Sequence, residues 1–107
     1  MAREKLKTLT EQMFYVLLVL TKELYGSEIV TKVSSLTNNR IILGPGTLYT
    51  ILGQFVEEKI IEETKKEGRK RCYCITESGK DLLANEISRL NQMIIDANNF
   101  SRSLYEN

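Results

Sequence analysis

Gly44-Pro45-Gly46-Thr47-Leu48-Tyr49 opens the stretch that decides the fold, which runs to Gly79 and occupies about one third of the chain. Gly44 suits a helix cap, and Pro45 suits a first turn, where a missing N–H costs nothing. The helix is expected to run to about Glu58. Leu48, Ile51, Leu52, Phe55 and Val56 recur at spacings of three and four and make one apolar stripe. Thr47, Tyr49, Thr50, Gly53 and Gln54 are left on or beside the other face, where hydroxyls and an amide are able to donate to phosphates or base edges.

After Lys59 the periodicity changes. Ile60-Ile61-Glu62-Glu63-Thr64-Lys65-Lys66 and Arg71-Cys72-Tyr73-Cys74-Ile75-Thr76 are β-prone runs on either side of Glu67-Gly68-Arg69-Lys70, so they read as a hairpin. Lys65, Lys66, Arg69, Lys70 and Arg71 are expected at its tip, offset only by Glu67. A turn needs one glycine but not five cations. Like charges crowded together repel, and a nearby polyanion offsets that cost most readily. A helix start, a helix, a basic hairpin and a new helix start, in that order, form the read-out half of a winged helix.

The rest of the chain supplies three more helices. Thr8 followed by Glu11 fits a capping box for a helix from about Leu9 to Glu23. Its run from Met13 to Leu20 is apolar nearly all round and must be covered on more than one side. Leu24-Tyr25-Gly26 breaks the pattern, Ser27 is a cap candidate, and Ile29, Val30, Val33 and Leu36 mark a second amphipathic helix. Thr37-Asn38-Asn39-Arg40 reads as a turn. A last helix is expected from Thr76–Ser78 to about Ser103. Leu83, Ile87, Leu90, Ile94 and Ala97 follow a four-three-four-three rhythm along it, with Met93, Ile95 and Phe100 beside that seam. Little else in the chain is left to cover so long a seam, so it is assigned to dimerisation against the first helix of a partner. Packing on the first helix of the same chain is the alternative.

The expected fold class is therefore mostly α with a small β-hairpin: a winged helix-turn-helix over residues 1–76 and a C-terminal dimerisation helix over 77–107, in one compact domain. At 107 residues, burial only just offsets chain entropy, and a second subunit would help. A net charge of +1 makes any basic surface local. Two cysteines, no histidine and no secretory pattern point to a reducing compartment, most simply a bacterial cytoplasm. The apolar run at Met13–Leu20 is too short to span a bilayer.

Leu43-Gly44-Pro45-Gly46-Thr47-Leu48-Tyr49, Glu57-Glu58-Lys59-Ile60-Ile61, Gly68-Arg69-Lys70-Arg71 and Tyr73-Cys74-Ile75-Thr76-Glu77-Ser78-Gly79 together resemble the PadR family of bacterial transcriptional regulators. Tyr25-Gly26 fits the same pattern. The resemblance implies a homodimer on double-stranded DNA at a pseudo-palindromic operator, usually as a repressor. Helix 44–58 would then enter the major groove, with Gln54 suited to adenine and the methyls of Thr47 and Thr50 to thymine. Tyr49 and the amides near Ser27 would hold phosphates, and a wing over 64–72 would reach the backbone or minor groove. Some relatives release DNA when a small hydrophobic compound binds between subunits. Phe14, Leu17, Leu90, Met93, Ile94 and Phe100 are the candidate lining here, although such residues on packed helices also serve simply as core.

One departure stands out. From Ile41 to Glu58 there is no Lys or Arg, whereas the family commonly carries basic residues where Gly53 and Gln54 stand. Counterion release must then come from the wing, from Lys5 and Lys7, and from the other subunit. Cys72 and Cys74 share one strand face, and adjacent cations could lower their pKa and make a thiol sensor, but two thiols without histidine are weak grounds for metal or redox chemistry. Gly44-Pro45-Gly46-Thr47 lacks the Gly-Lys-Ser/Thr ending of a nucleotide loop. Without histidine the common nucleophile-base pairs are missing, so no catalysis, metal or cofactor is expected. The alternative to a DNA-binding regulator is a winged-helix module that docks on protein without sequence-specific DNA binding.

Overall fold

The computed structural model describes residues 8–105. In chain order the elements are α1 (Glu11–Val19), β1 (Leu24–Tyr25), α2 (Gly26–Leu36), α3 (Pro45–Glu57), β2 (Ile61–Glu67), β3 (Lys70–Ile75) and α4 (Glu77–Tyr105). The sheet is antiparallel in the order β1-β3-β2. Four helices and a small sheet are the architecture expected from the sequence. The two-residue β1 was not anticipated: its residues had read only as a break between helices.

Helix ends follow local chemistry. The cap of α1 is Thr10 rather than Thr8, its hydroxyl accepting from the Met13 amide at 3.2 Å. The helix stops at Val19 because Leu20 leaves it to give its carbonyl to the Ile75 amide at 2.8 Å, which fastens α1 to the sheet. Gly44 caps α3 with Pro45 in its first turn, as the sequence dictates. At the far end Lys59 takes a left-handed φ of 61°, while the Ile60 amide returns to the Phe55 carbonyl at 2.9 Å and the Lys59 amide to Val56 at 3.0 Å. That double closure is a Schellman motif with lysine where glycine is usual. Gly68, with φ of 60°, stands at the first position of the two-residue turn between β2 and β3, where a II′ hairpin requires glycine.

The core gathers Val16, Leu17, Leu20, Ile29, Val33, Leu48, Leu52, Phe55, Ile60, Ile61 and Ile75 between the first three helices and the base of the sheet. Each large side chain buried there contributes about 1.5–3 kcal/mol. Two assignments change. Val56 is 40% exposed, since its position turns the end of the α3 stripe toward the wing rather than the core. Leu17 is fully buried inside its own chain and so lines no space open to a ligand.

Among the described residues, the first turns of α4 are the part that packs on this chain. Gly79, Leu83 and Glu86 are buried and Leu90 is half-buried, whereas Asn91 to Tyr105 are exposed. Leu83 therefore belongs to the internal core and not to the seam expected for a partner. Internal packing on the α1 side and a free remainder coexist along one helix. The radius of gyration, 16.5 Å, exceeds the roughly 13 Å of a compact chain this long because the 29-residue helix projects beyond the body.

The start of α4 is fixed by contact with the end of α3. Thr76 caps it, its hydroxyl accepting from Gly79 N–H at 3.1 Å and donating toward the carbonyls of Lys59 (2.7 Å) and Ile60 (2.9 Å). A Cβ on Gly79 would collide with the Ile60 carbonyl oxygen and sit 2.7 Å from Ile75 Cγ1. Gly79→Ala is expected to lower stability by about 2–3 kcal/mol through overpacking, whereas Lys59→Gly, relieving the left-handed residue, is expected to raise it by about 1 kcal/mol. Urea unfolding followed by circular dichroism measures both.

Candidate nucleic-acid interface

Three elements bring polar groups to one cleft of about 370 Å³, lined by Tyr25, Gly26 and Ser27 at the start of α2, Tyr49 on α3, and Arg69, Lys70, Arg71 and Tyr73 from the hairpin. Of the ten residues expected to touch DNA, five meet there: Ser27, Tyr49, Arg69, Lys70 and Arg71. Sheet register explains the convergence. β1 pairs Leu24 with Tyr73 and Tyr25 with Cys72, which pins the N-terminus of α2 to the wing. α2 begins there at Gly26, and a helix start leaves its first amides without intrahelical partners; Tyr49 is 62% exposed.

The five hairpin cations do not stand together at the tip. Between Glu63, paired with Tyr73, and Lys65, paired with Cys72, Thr64 is an extra residue, a bulge that offsets the two strands. Lys65 approaches Glu23 at 3.9 Å and Arg71 meets Glu63 at 3.3 Å. Glu67 is thus not the sole offset to the wing charge. Lys66, Arg69 and Lys70 have no carboxylate partner in an ion pair among the described residues, and they are the cations best placed for phosphates. Surface pairs of the other kind are worth little and open readily to a stronger anion.

Along α3 the exposed residues fall on two flanks. Tyr49 turns to the wing. Thr47 and Thr50 line a shallow groove on the opposite side with Thr10, Gln12 and Met13 from α1, and Gln12 was not singled out from the sequence. The Thr50 hydroxyl donates to the Gly46 carbonyl at 2.9 Å, which leaves its methyl and lone pairs outward. Gln54 is half-buried and its amide donates to Glu58 at 3.2 Å, so it must exchange that partner to reach a base. Gly53 lies on the outermost line of the helix, and a Cβ there would meet nothing within 4 Å. No internal contact requires glycine at this position. Lys5 and Lys7 lie outside the described residues.

Cys72 is poorly set up to sense oxidants. Cys72 is buried, and burial first, with the Glu23 carboxylate next, pushes its pKa up; the opposing effect of Lys65 does not prevail. Lys65 stands opposite Cys72 and does act to lower its pKa, but burial and Glu23 outweigh it, so the expected lowering by cations is reversed. Among the described residues no group of three or more His, Cys, Asp or Glu is arranged to hold a metal ion, and no helix is long and apolar enough to cross a membrane.

A model of the transcriptional regulator PadR-like family matches residues 16–85, most of the chain and all of the cleft. The chain belongs to that family. That family is one of transcriptional regulators. Solved structures agree in fold: a transcriptional regulator from Clostridium thermocellum superposes with a TM-score of 0.72 at 21% identity, covering 82% of this chain and 90% of that one. A PadR-like transcription factor from Bacteroides fragilis gives 0.71 at 22% identity over 83% and 88%. RosR of Halobacterium salinarum, in the complex called RosR-S1, gives 0.68 at 24% over 89% and 85%. Among sequence relatives, an uncharacterised protein of Lysinibacillus sphaericus is 32% identical over 71 residues, 63% of this chain and 65% of its own length. An uncharacterised 37.1 kDa protein of a Streptomyces fradiae transposon is 26% identical over 95 residues, 86% of this chain but 27% of its own length. The chain thus spans about a quarter and about two thirds of these two relatives.

Glu86 had no sequence signal beyond an arginine three residues on, and it is the buried polar anchor of α4. Its carboxylate accepts from Arg89 Nε at 2.7 Å and a second guanidinium nitrogen at 3.0 Å, and from the Leu9 amide at 2.7 Å. The hydrogen bonds from Arg89 first, and from Leu9, hold its pKa below the usual carboxylate range against the opposing effect of burial. A depressed carboxylate stabilises the fold fully above its unfolded pKa, about 4.3, and that stabilisation is lost as pH falls through the folded value. Glu86→Gln is expected to cost about 1 kcal/mol at neutral pH and to flatten the acid limb of a melting-temperature-against-pH curve below pH ~4.3. Parallel acid limbs for the two proteins would assign that loss to other groups.

Proposed function

We propose that the protein is a homodimeric repressor that binds a pseudo-palindromic operator in duplex DNA through helix 44–58 and the wing over 64–72. Residues 1–76 form the winged helix-turn-helix and 77–107 the dimerisation helix. The observation that carries this reading is the cleft itself: the first turn of α2 at Gly26 and Ser27, Tyr49 and three wing cations line one space of about 370 Å³. Oriented N–H groups beside guanidinium and ammonium groups are a phosphate site. With a phosphate there, α3 lies along the adjoining major groove. Thr47 and Thr50 then offer methyls to thymine, and Gln54 reads adenine once it leaves Glu58.

Dimerisation is supported by what α4 leaves uncovered. Ile87, Met93, Ile94, Ile95, Phe100 and Leu104 are exposed along one projecting helix, with Ile94 at 58% and Phe100 at 68%. An apolar surface of that length is uncommon on a monomer. Ile87, Leu90, Ile94 and Ala97 form the seam, and the half-buried Phe14 and Leu18 of α1 extend the surface it would meet. Two-fold pairing sets half-sites about one helical turn apart, ~34–36 Å. Phe14 and Leu90 border a hollow of about 250 Å³ with Tyr15 and Glu86. Closed by a partner's Met93, Ile94 and Phe100, that hollow is where a small hydrophobic effector would bind and relieve repression. The protein acts in the bacterial cytoplasm, where its DNA is.

Fluorescence anisotropy with a labelled duplex tests the reading. Affinity should fall steeply with salt, and Lys66→Ala, Arg69→Ala and Lys70→Ala together should reduce the slope of log K against log salt by about one per cation removed. Ile94→Glu should convert a dimer to a monomer in light scattering and abolish operator binding. A wild-type monomer that shifts no duplex even in dilute salt would overturn the proposal.

A further inference from the structure

One side chain joins the start of α2 to the tip of the wing. Tyr25 pairs with Cys72 in the sheet, and its amide donates to Glu28 Oε1 at 2.8 Å, closing the first turn of α2. Its hydroxyl donates to Glu67 Oε2 at 3.3 Å, and the Lys70 ammonium lies 5.9 Å from its ring centroid. Glu67 and Lys70 face each other across the hairpin and bracket the Gly68-Arg69 turn. Opposite charges at such a register ordinarily attract one another. Here both reach Tyr25, which is rooted on a different element.

That arrangement has an electrostatic consequence. Glu67 is the carboxylate nearest in sequence to Arg69 and Lys70, and a phosphate approaching those cations would meet its repulsion. The tyrosine hydroxyl draws the carboxylate toward the sheet and α2, while the ring face supports Lys70 on the cleft side. β1 pairs with β3 only as far as Cys72, so backbone hydrogen bonds from β1 do not reach the tip.

We propose that Tyr25 is a positioning residue for DNA binding: it holds Glu67 back from the phosphate path and props Lys70 into it. The proposal rests on the DNA-binding reading above. At 3.3 Å the hydrogen bond is longer than the usual O–H···O distance of about 2.7–2.8 Å, so the expected effect is moderate.

A double-mutant cycle isolates it, using a labelled duplex recovered by in vitro selection with the wild-type protein and a single fixed salt concentration. Tyr25→Phe is expected to weaken binding about threefold to fivefold. Glu67→Gln in the wild-type background should tighten it less than twofold, about the scale of a screened surface charge. In the Tyr25→Phe background, Glu67→Gln should restore most of the lost affinity, because the released carboxylate is then the source of the loss. Glu67→Gln having the same effect in both backgrounds would overturn the proposal, as would an unchanged affinity for Tyr25→Phe. Thermal melts accompany each protein. Should Tyr25→Phe fail to fold, Lys70→Ala and Lys70→Met decide between the outcomes: loss of a propped cation predicts equal weakening in both, and no weakening overturns the proposal. If the wild-type protein recovers no duplex, the broader reading fails first.

Discussion

At the Ile60 carbonyl three elements meet: the turn that closes α3, the start of β2 and the first turn of α4. It accepts from the Thr76 amide at 3.0 Å and the Thr76 hydroxyl at 2.9 Å, and the missing side chain of Gly79 lets α4 press against it. Ile60 itself is reached only because Lys59 adopts a left-handed turn that reverses the chain. The orientation of α3 relative to the projecting helix is thus set by one carbonyl, one hydroxyl and one absent Cβ. In the proposed dimer the same junction would fix how far apart two reading helices stand, since any change in the angle of α4 is magnified along its length.

Charge is distributed with comparable economy. In the proposed binding mode α3 carries no cation, so its attraction to DNA would have to come from neighbours. The bulge at Thr64 and the ion pairs to Glu23 and Glu63 sort the wing into two groups, one tied down at its base and one presented at its tip. A surface with so little net charge binds a polyanion only through such local sorting. Salt, rather than pH, is then the natural control variable for the cleft, while the acid-sensitive element, Glu86, sits under α4 and away from it.

α4 carries two kinds of interaction in succession. Its first turns are bound by Leu83 in the core and by Glu86, whose carboxylate accepts the Leu9 amide on the way into α1. A buried carboxylate is costly unless its lone pairs are filled, and here Arg89 and Leu9 fill them. Among the described residues, nothing of its own chain covers the remainder of the helix. Rigid attachment at one end and an uncovered apolar face at the other are what a lever between subunits requires.

Sequence alone sufficed for the order of the helices and the hairpin, the cap and proline that start α3, a glycine-containing turn at Gly68 and the apolar stripes. These depend on backbone preference and on periodicities of two and 3.6, which are local properties. Residue types and their order also picked out Ser27, Tyr49, Arg69, Lys70 and Arg71, which the fold brings to the cleft, but not Tyr25 or Tyr73, which line it with them. Sequence did not determine β1, since two residues carry no periodicity and become a strand only when Tyr73 and Cys72 lie alongside. Nor did it show that Leu17 and Leu83 are internal, that Val56 is exposed, or that Cys72 is held protonated, because an apolar stripe does not say which neighbour covers each position. Glu86 and the Tyr25–Glu67 contact were invisible for a related reason: their partners lie 77 and 42 residues away, and only the folded chain brings such groups within hydrogen-bonding distance.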